Sequence, residues 1–405
     1  MPILQTAKPA APAATASGAS RLVLFAAVFF DLLGFGIVIP FLPMFAARLK
    51  IGAVAIGLIF SAYSVMQFIC APLLGRLSDR IGRRPIIMLG LFGSSLSYLI
   101  YGFADSFAGL LISRAVHGAC AATISTAQAY VADTTEPSRR AHAMGMIGAA
   151  FGLGFVLGPA MGGLLGVASL RTPVFVAAAL TFANLIFAAV CLPESRRLDQ
   201  TPQATADATG WRFDLPRRLG RHRAIARLFL LAFLLTFAIA ALEATFALTV
   251  PAIYGYAAAG VGGLLAFAGL MQALAQGYLL GKIVPRTGES ALIVVGAAAL
   301  ALGLAPLGSW SSHAALYVML ALIALGYGFG STSVAALISR RTGSELQGEA
   351  LGLNQSVLSL ARILGPIAGG LVYQTMGPAA PYIGGAAVAA LAMALAVSVS
   401  HSRAA

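Results

Sequence analysis

Twelve apolar runs, each long enough to cross a bilayer as a helix, take up most of this 405-residue chain. They lie near 21–47, 55–75, 85–103, 107–132, 141–167, 172–192, 227–253, 259–283, 290–308, 313–339, 346–375 and 380–400. About 20 apolar residues of helix cross a hydrocarbon core. With 59% hydrophobic and 10% charged residues, the chain has too little polar surface for a water-soluble domain. No ten-residue alternation of the β-barrel kind competes. The fold class this predicts is an all-α membrane protein.

The positive charges choose a side. Of 26 lysines and arginines, 21 fall in tails and turns on one side, and Arg48, Lys50 and Arg171 fall on the other. Arg114 and Arg362 lie within spans. Cytoplasmic loops collect lysine and arginine. Both termini are therefore expected in the cytoplasm, with the chain in the plasma (inner) membrane. The same clustering argues against nucleic acid as partner, despite a net charge of +13. All three cysteines sit in apolar runs, which argues against a disulfide framework or a zinc site; no metal is expected.

The longest polar stretch, 193–226, divides the runs six and six. The expected organisation is a disordered cytoplasmic tail (1–20), a six-helix bundle (21–192), a cytoplasmic linker (193–226), a second bundle (227–400) and a short tail (401–405). The halves repeat. GFVLGPAMGGLLG (154–166) matches ARILGPIAGGLVY (361–373) at an offset of 207. At offset 206, Gly75, Arg76, Arg80 and Gly82 fall on Gly281, Lys282, Arg286 and Gly288, and Arg83 falls on Glu289. Parallel repeats about an axis along the membrane normal are a transporter architecture, with substrate bound between the halves near midplane. Two six-helix bundles related by a pseudo-twofold axis complete the predicted fold. The two-repeat chain is expected to work as a monomer.

Several segments resemble known motifs. GRLSDRIGRRP (75–85) resembles the turn between the second and third helices of the major facilitator superfamily. ISRAVHGACAA (112–122) resembles its fourth-helix motif. GFVLGPAMGG resembles the fifth-helix motif of its drug/proton antiporters. FFDLLGFGIVIPFLP (29–43) resembles the first helix of the tetracycline-exporter-like branch, and ADTTEPSRR (132–140) also fits. The resemblance implies a latch on the cytoplasmic side, formed in the outward-open state by Gly75, Asp79, Arg83, Asp133 and Arg140. In that family the turn's aspartate faces the amino end of the eleventh helix. It also implies an antiporter motif of Gly154, Gly158, Pro159, Gly162 and Gly163. By spacing alone, Gly154, Gly158 and Gly162 form a stripe of small residues that lets helices approach closely. Exporters of the tetracycline type carry ionisable residues in helices 3, 8 and 9, where this chain has Ser97, Gln272 and Leu300.

Charge within a span is expensive, roughly 2.5–3.5 kcal/mol on insertion scales, and usually functional. Asp31, Arg114, Glu243 and Arg362 are the candidates. Asp31 is the first choice for proton coupling, because a carboxyl in a low-dielectric cavity is able to load and release protons. The resemblance supports Arg114 beside it. Glu243 occupies the corresponding depth in the second half and is suited to binding protons or a cationic drug. Arg362 suits an anionic substrate or a pairing acid. His117, one turn from Arg114, is read as a buried, hydrogen-bonded histidine ahead of a proton relay.

The predicted substrate cavity holds Phe35, Tyr63, Gln67, Gln128, Phe246, Gln272, Gln276, Tyr327, Asn354, Gln355 and Arg362. Aromatics and amides suit small amphiphilic molecules. No Walker A motif and no hydrolytic or redox constellation is present, so no enzyme activity and no cofactor are expected. The leading reading is a proton-coupled antiporter exporting drugs or other small amphiphiles by alternating access. An uptake symporter or facilitator for a small metabolite, and a non-transporting sensor, stay open as alternatives.

Overall fold

The computed structural model describes residues 18–195, 223–342 and 347–401. Most of the expected tails and of the expected linker lie outside the described residues, and the first helix begins at Gly18, inside the stretch expected to be tail. Among the described residues there is no strand. Large apolar side chains such as Phe103, Leu164, Val167 and Val190 stand exposed on the outside, as lipid contact requires.

Span 1 is Gly18–Val38, a 3-10 turn at Ile39–Phe41 and a short helix Leu42–Arg48. Pro40 and Pro43 lack the N–H groups a continuous helix needs there. Spans 2 and 3 are Ala53–Ile81 and Arg83–Phe103. Span 4 is broken into Phe107–Cys120 and Thr123–Thr134. Spans 5 and 6 are Pro137–Gly166 and Thr172–Cys191.

In the second half, span 7 is Arg223–Tyr254. Span 8 starts as Ala258–Leu274, passes a π turn at Ala275–Leu279 and runs on into the helix Leu280–Leu304. Gly288, with φ 75° and ψ 160°, breaks that last helix, and span 9 follows it. Eleven helical stretches are long and apolar enough to cross a membrane, and the 47-residue stretch Ala258–Leu304 holds two crossings, which makes twelve. Spans 10, 11 and 12 are His313–Arg341, Gln347–Met376 and Ala380–His401.

The repeat is visible in the backbone. Gly82, between spans 2 and 3, has φ 105° and ψ 165°, close to the values at Gly288. Only glycine adopts such a conformation without strain. The packing repeats as well. Span 1 packs on spans 5 and 6, span 2 on span 4, and span 3 on span 6. Span 7 packs on spans 11 and 12, span 8 on span 10, and span 9 on span 12. The halves meet along spans 2 and 11 and along spans 5 and 8.

Helices in lipid gain little from apolar burial and associate through close packing of small residues. The glycine stripe of span 5 does this against span 1. A Cβ at Gly158 would stand 2.7 Å from the Gly36 backbone, one at Gly154 would stand 2.8 Å from Leu32, and one at Gly162 would stand 2.6 Å from the Ile37 carbonyl. Span 11 repeats the device against span 7. A Cβ at Gly365 would stand 2.9 Å from the Phe237 carbonyl, and one at Gly369 2.8 Å from that of Ala241. Gly163, one residue off the stripe, points instead to Ala259 and Gly262 of span 8, across the boundary between the halves.

Candidate functional site: a charged cavity between the halves

A cavity of about 1140 Å³ lies between the two bundles. Spans 1, 2, 4 and 5, with Ser94 of span 3, wall one side, and spans 7, 8, 10 and 11 the other. Asp31, Phe35, Tyr63, Gln67, Arg114, His117, Gln128 and Pro159 reach it from the first half. Glu243, Phe246, Gln272, Tyr327, Gln355 and Arg362 reach it from the second.

Two expected lining residues stand elsewhere. Asn354 is buried within the second half, because it is one residue and about 100° of helix away from Gln355. Gln276 sits on the π turn, whose extra residue per turn rotates it off the face that Gln272 presents. Its side chain lies against Gly328 of span 10. Ser97 and Leu300 are buried in packing and do not line the cavity. Ser97 instead bonds Ser113 across spans 3 and 4.

The charges of the first half are held by protein. Ser94 of span 3 donates to Asp31 Oδ1 at 2.9 Å, and the Thr123 hydroxyl is a second neighbour. Thr123 opens the second segment of span 4, so the break between Cys120 and Thr123 delivers a hydroxyl to the carboxyl. Interrupted helices are tolerated at membrane depth where they line a cavity, and Ala121 and Thr123 do so. Arg114 is 2% exposed. Its guanidinium carbon lies 4.6 Å from the Tyr63 ring centroid and 5.7 Å from that of Phe35, a cation–π enclosure. Its Nη1 is 3.2 Å from His117 Nδ1. Arginine only donates, so this histidine nitrogen accepts. Among the described residues Arg114 and Asp31 form no ion pair.

The second half differs. Glu243 and Arg362 both stand exposed to the cavity. Among the described residues neither has a hydrogen bond or an ion pair, although each lies within the other's electrostatic reach.

One end of the cavity is closed, on the face opposite the arginine-rich turns. There Ser61 of span 2 donates to the Ile363 carbonyl of span 11 at 2.6 Å, and Gln374 Oε1 accepts from Val54 N–H at 3.3 Å. Gly370 meets Ala53, and Gly163 meets Ala259, which are related positions of the repeat. On the arginine-rich face several described glycines look into open space. A Cβ added at Gly75, Gly145, Gly148, Gly281 or Gly352 would meet nothing within 4 Å.

The turn between spans 2 and 3 is tied within the first half. Arg83 pairs with Asp79 at 2.7 Å and donates to Asp133 Oδ2 at 2.8 Å. Glu194, after span 6, accepts from the backbone N–H groups of Arg83 and Arg84 at 2.9 and 3.2 Å, capping span 3. The Arg140 side chain and the segment that leads into span 11 lie outside the described residues. In the second half the corresponding positions carry Glu289 and Arg340, which pair with each other. Arg83 maps to Glu289 at offset 206 and Asp133 to Arg340 at offset 207. The repeat has kept the ion pair and exchanged its signs.

Three features of the site escape sequence reasoning: the break in span 4, the π turn in span 8, and the pair of hydroxyls on Asp31. The serines of span 3, Ser94, Ser95 and Ser97, were the one available signal, since polar side chains inside an apolar run need partners.

The Major Facilitator Superfamily model matches residues 24–366 and 228–404. Tetracycline resistance protein, class C, of Escherichia coli is 33% identical over 357 residues, covering 87% of this chain and 89% of that one. Multidrug resistance protein 2 of Bacillus subtilis is 29% identical over 358 residues, covering 87% and 88%. The crystal structure of the human organic anion transporter MFSD10 (TETRAN) matches with a TM-score of 0.69 at 28% identity, over 94% of this chain and 100% of that one.

Proposed function

This chain belongs to the Major Facilitator Superfamily, and on that footing we propose that it exports drugs or other small amphiphilic molecules in exchange for protons. The relatives named for tetracycline and multidrug resistance support the substrate class. The observation that carries the reading is a carboxyl, Asp31, bonded by hydroxyls at the wall of a large cavity open at one end.

The cycle follows from that arrangement. The arginine-rich face is cytoplasmic, so the chain stands inward-open in the inner membrane with both termini in the cytoplasm. Substrate enters between the halves from the cytoplasm or the inner leaflet. The halves then rock. Spans 2 and 11 and spans 5 and 8 part on the outer face and close on the inner one. Gly75 and Gly281 leave room for that closure, and the turn with Asp79, Arg83, Asp133 and Arg140 latches it. A proton reaching Asp31 from outside neutralises it and favours substrate release. The return to the inward-open state carries the proton across, and loss of the proton resets the carboxylate. Arg114, caged on the same cavity wall with no ion pair to Asp31, makes protonation depend on conformation when the cycle brings it toward the carboxyl. The glycine contacts of span 5 hold it tightly on span 1, where Asp31 sits, and so restrain leak. Each molecule works as a monomer.

The test is drug-driven proton movement. The protein is reconstituted in vesicles with an internal pH dye, and cationic, neutral and zwitterionic amphiphiles are added against an imposed proton gradient. The wild type dissipates the gradient with at least one compound, and Asp31→Asn does not. Full coupled exchange in Asp31→Asn would make Asp31 structural.

A further inference from the structure

The two acids and two bases of the cavity are not equivalent. Asp31 is bonded by Ser94, and Arg114 is enclosed by Tyr63, Phe35 and His117. Those charges are engaged by protein groups before any ligand arrives, although Arg114 Nε is buried without a hydrogen bond among the described residues. Glu243 on span 7 and Arg362 on span 11 face the same cavity with no hydrogen bond or ion pair among the described residues. They are the cavity charges left to water and to each other's field.

A ligand that fills the cavity removes that water. Desolvating a charge without giving it a partner is costly. A purely cationic amphiphile compensates Glu243 and strips the guanidinium of Arg362. A purely anionic one does the reverse. A molecule carrying one cationic and one anionic group compensates both. Spans 7 and 11 are packed together through Gly365 and Gly369, which fixes the spacing of the two charges.

We propose that Glu243 and Arg362 form a dipolar subsite that selects zwitterionic amphiphiles, the ammonium or other cation toward Glu243 and the carboxylate or other anion toward Arg362. This rests on the export reading above and narrows its substrate class. Ile239, one turn from Glu243, and Tyr327 of span 10 supply the apolar wall against which the ligand body packs.

The test uses one scaffold in three charge forms. Norfloxacin is zwitterionic near neutral pH, its ethyl ester is cationic, and its N-acetyl derivative is anionic. Binding to the purified full chain in detergent is measured by calorimetry at pH 7. The zwitterion should bind at least tenfold tighter than either derivative. Arg362→Gln should remove its advantage over the ester and keep its advantage over the N-acetyl form, and Glu243→Gln should do the opposite. Thermal unfolding of each variant confirms that it is folded, and the conservative variant Arg362→Lys should restore part of the preference over the ester. Equal binding of zwitterion and ester, no binding of any form, or the same loss for all three forms in both variants would overturn the subsite. Transport of a cationic dye in the same vesicle preparation separates the two ideas. Dye exchange without charge-form preference sinks the subsite alone, and no proton-linked exchange of dye or norfloxacin sinks the export reading.

Discussion

The two halves share a backbone and differ in how they hold charge. Gly82 and Gly288 break the chain at the same place, and the glycines of spans 5 and 11 press on spans 1 and 7 in the same way. Yet the first half encloses its buried charges with hydroxyls and rings, whereas the second leaves Glu243 and Arg362 open to the cavity. At the turn the first half gathers Asp79, Arg83 and Asp133, and the second keeps one pair of reversed sign, Glu289 with Arg340. Duplicated packing suits the symmetric rocking proposed above, and divergent charge is the ground for assigning the proton to one half and the substrate to the other.

Breaking the shared part should cost most. In Gly158→Val the added carbons meet the Gly36 backbone, not a movable side chain. Overpacking of this kind costs typically about 1–3 kcal/mol, occasionally more. The expected outcome is a sharp fall in monodisperse protein by size exclusion. Gly365→Val should suffer as much, since its Cβ meets Phe237 and Ala240. A well-folded Gly365→Val would show that the second glycine stripe is not the equal of the first.

The turn should separate the halves by a smaller margin. Arg83 serves two acids, Asp79 and Asp133, and its loss removes a charged partner from both. Arg83→Gln should lower stability by about 1–3 kcal/mol, the scale of a lost charged hydrogen bond. Arg340→Gln should cost about 1 kcal/mol or less, because Arg340 is exposed and the nearly buried Glu289 keeps a further partner. Thermal unfolding in detergent measures both. The double variant Glu289→Arg with Arg340→Glu, which gives the second half the signs of the first, should recover what either single change loses. Failure to recover would mean that the surroundings fix the sign.

The smallest effect on stability should come at Gly75 and Gly281. An added methyl meets nothing at either position. Gly75→Ala and Gly281→Ala should raise stability by no more than about 0.5–1 kcal/mol, the helix-propensity gain of alanine over glycine. Turnover is the sharper readout. If the halves close on this face through the first turn, Gly75→Ala slows exchange and Gly281→Ala does so less. Equal rates in both would remove the special role of the first turn.

Much of this was legible in the sequence. Apolar run length gave the spans, and the 206 and 207 offsets foretold the paired backbone breaks and glycine contacts, because glycine spacing translates directly into helix approach. Placing Gln355 in the cavity and Asn354 out of it was not legible, since it depends on the rotation of span 11 about its axis. Nor was the break at Ala121, which lies in an alanine-rich stretch that local propensity would keep helical. The π turn, likewise, has no proline to announce it. Tertiary packing decides all three.

The most direct measurement separates binding from coupling. Substrate-for-substrate counterflow in vesicles without a proton gradient needs the binding site and the rocking motion, but no net proton transfer. Driven accumulation needs the proton as well. The division between the halves predicts that Asp31→Asn keeps counterflow and loses accumulation, whereas Glu243→Gln and Arg362→Gln lose both for a zwitterion such as norfloxacin. Accumulation that survives in Asp31→Asn and vanishes only in Glu243→Gln, with counterflow intact, would put the proton in the second half and contradict the division.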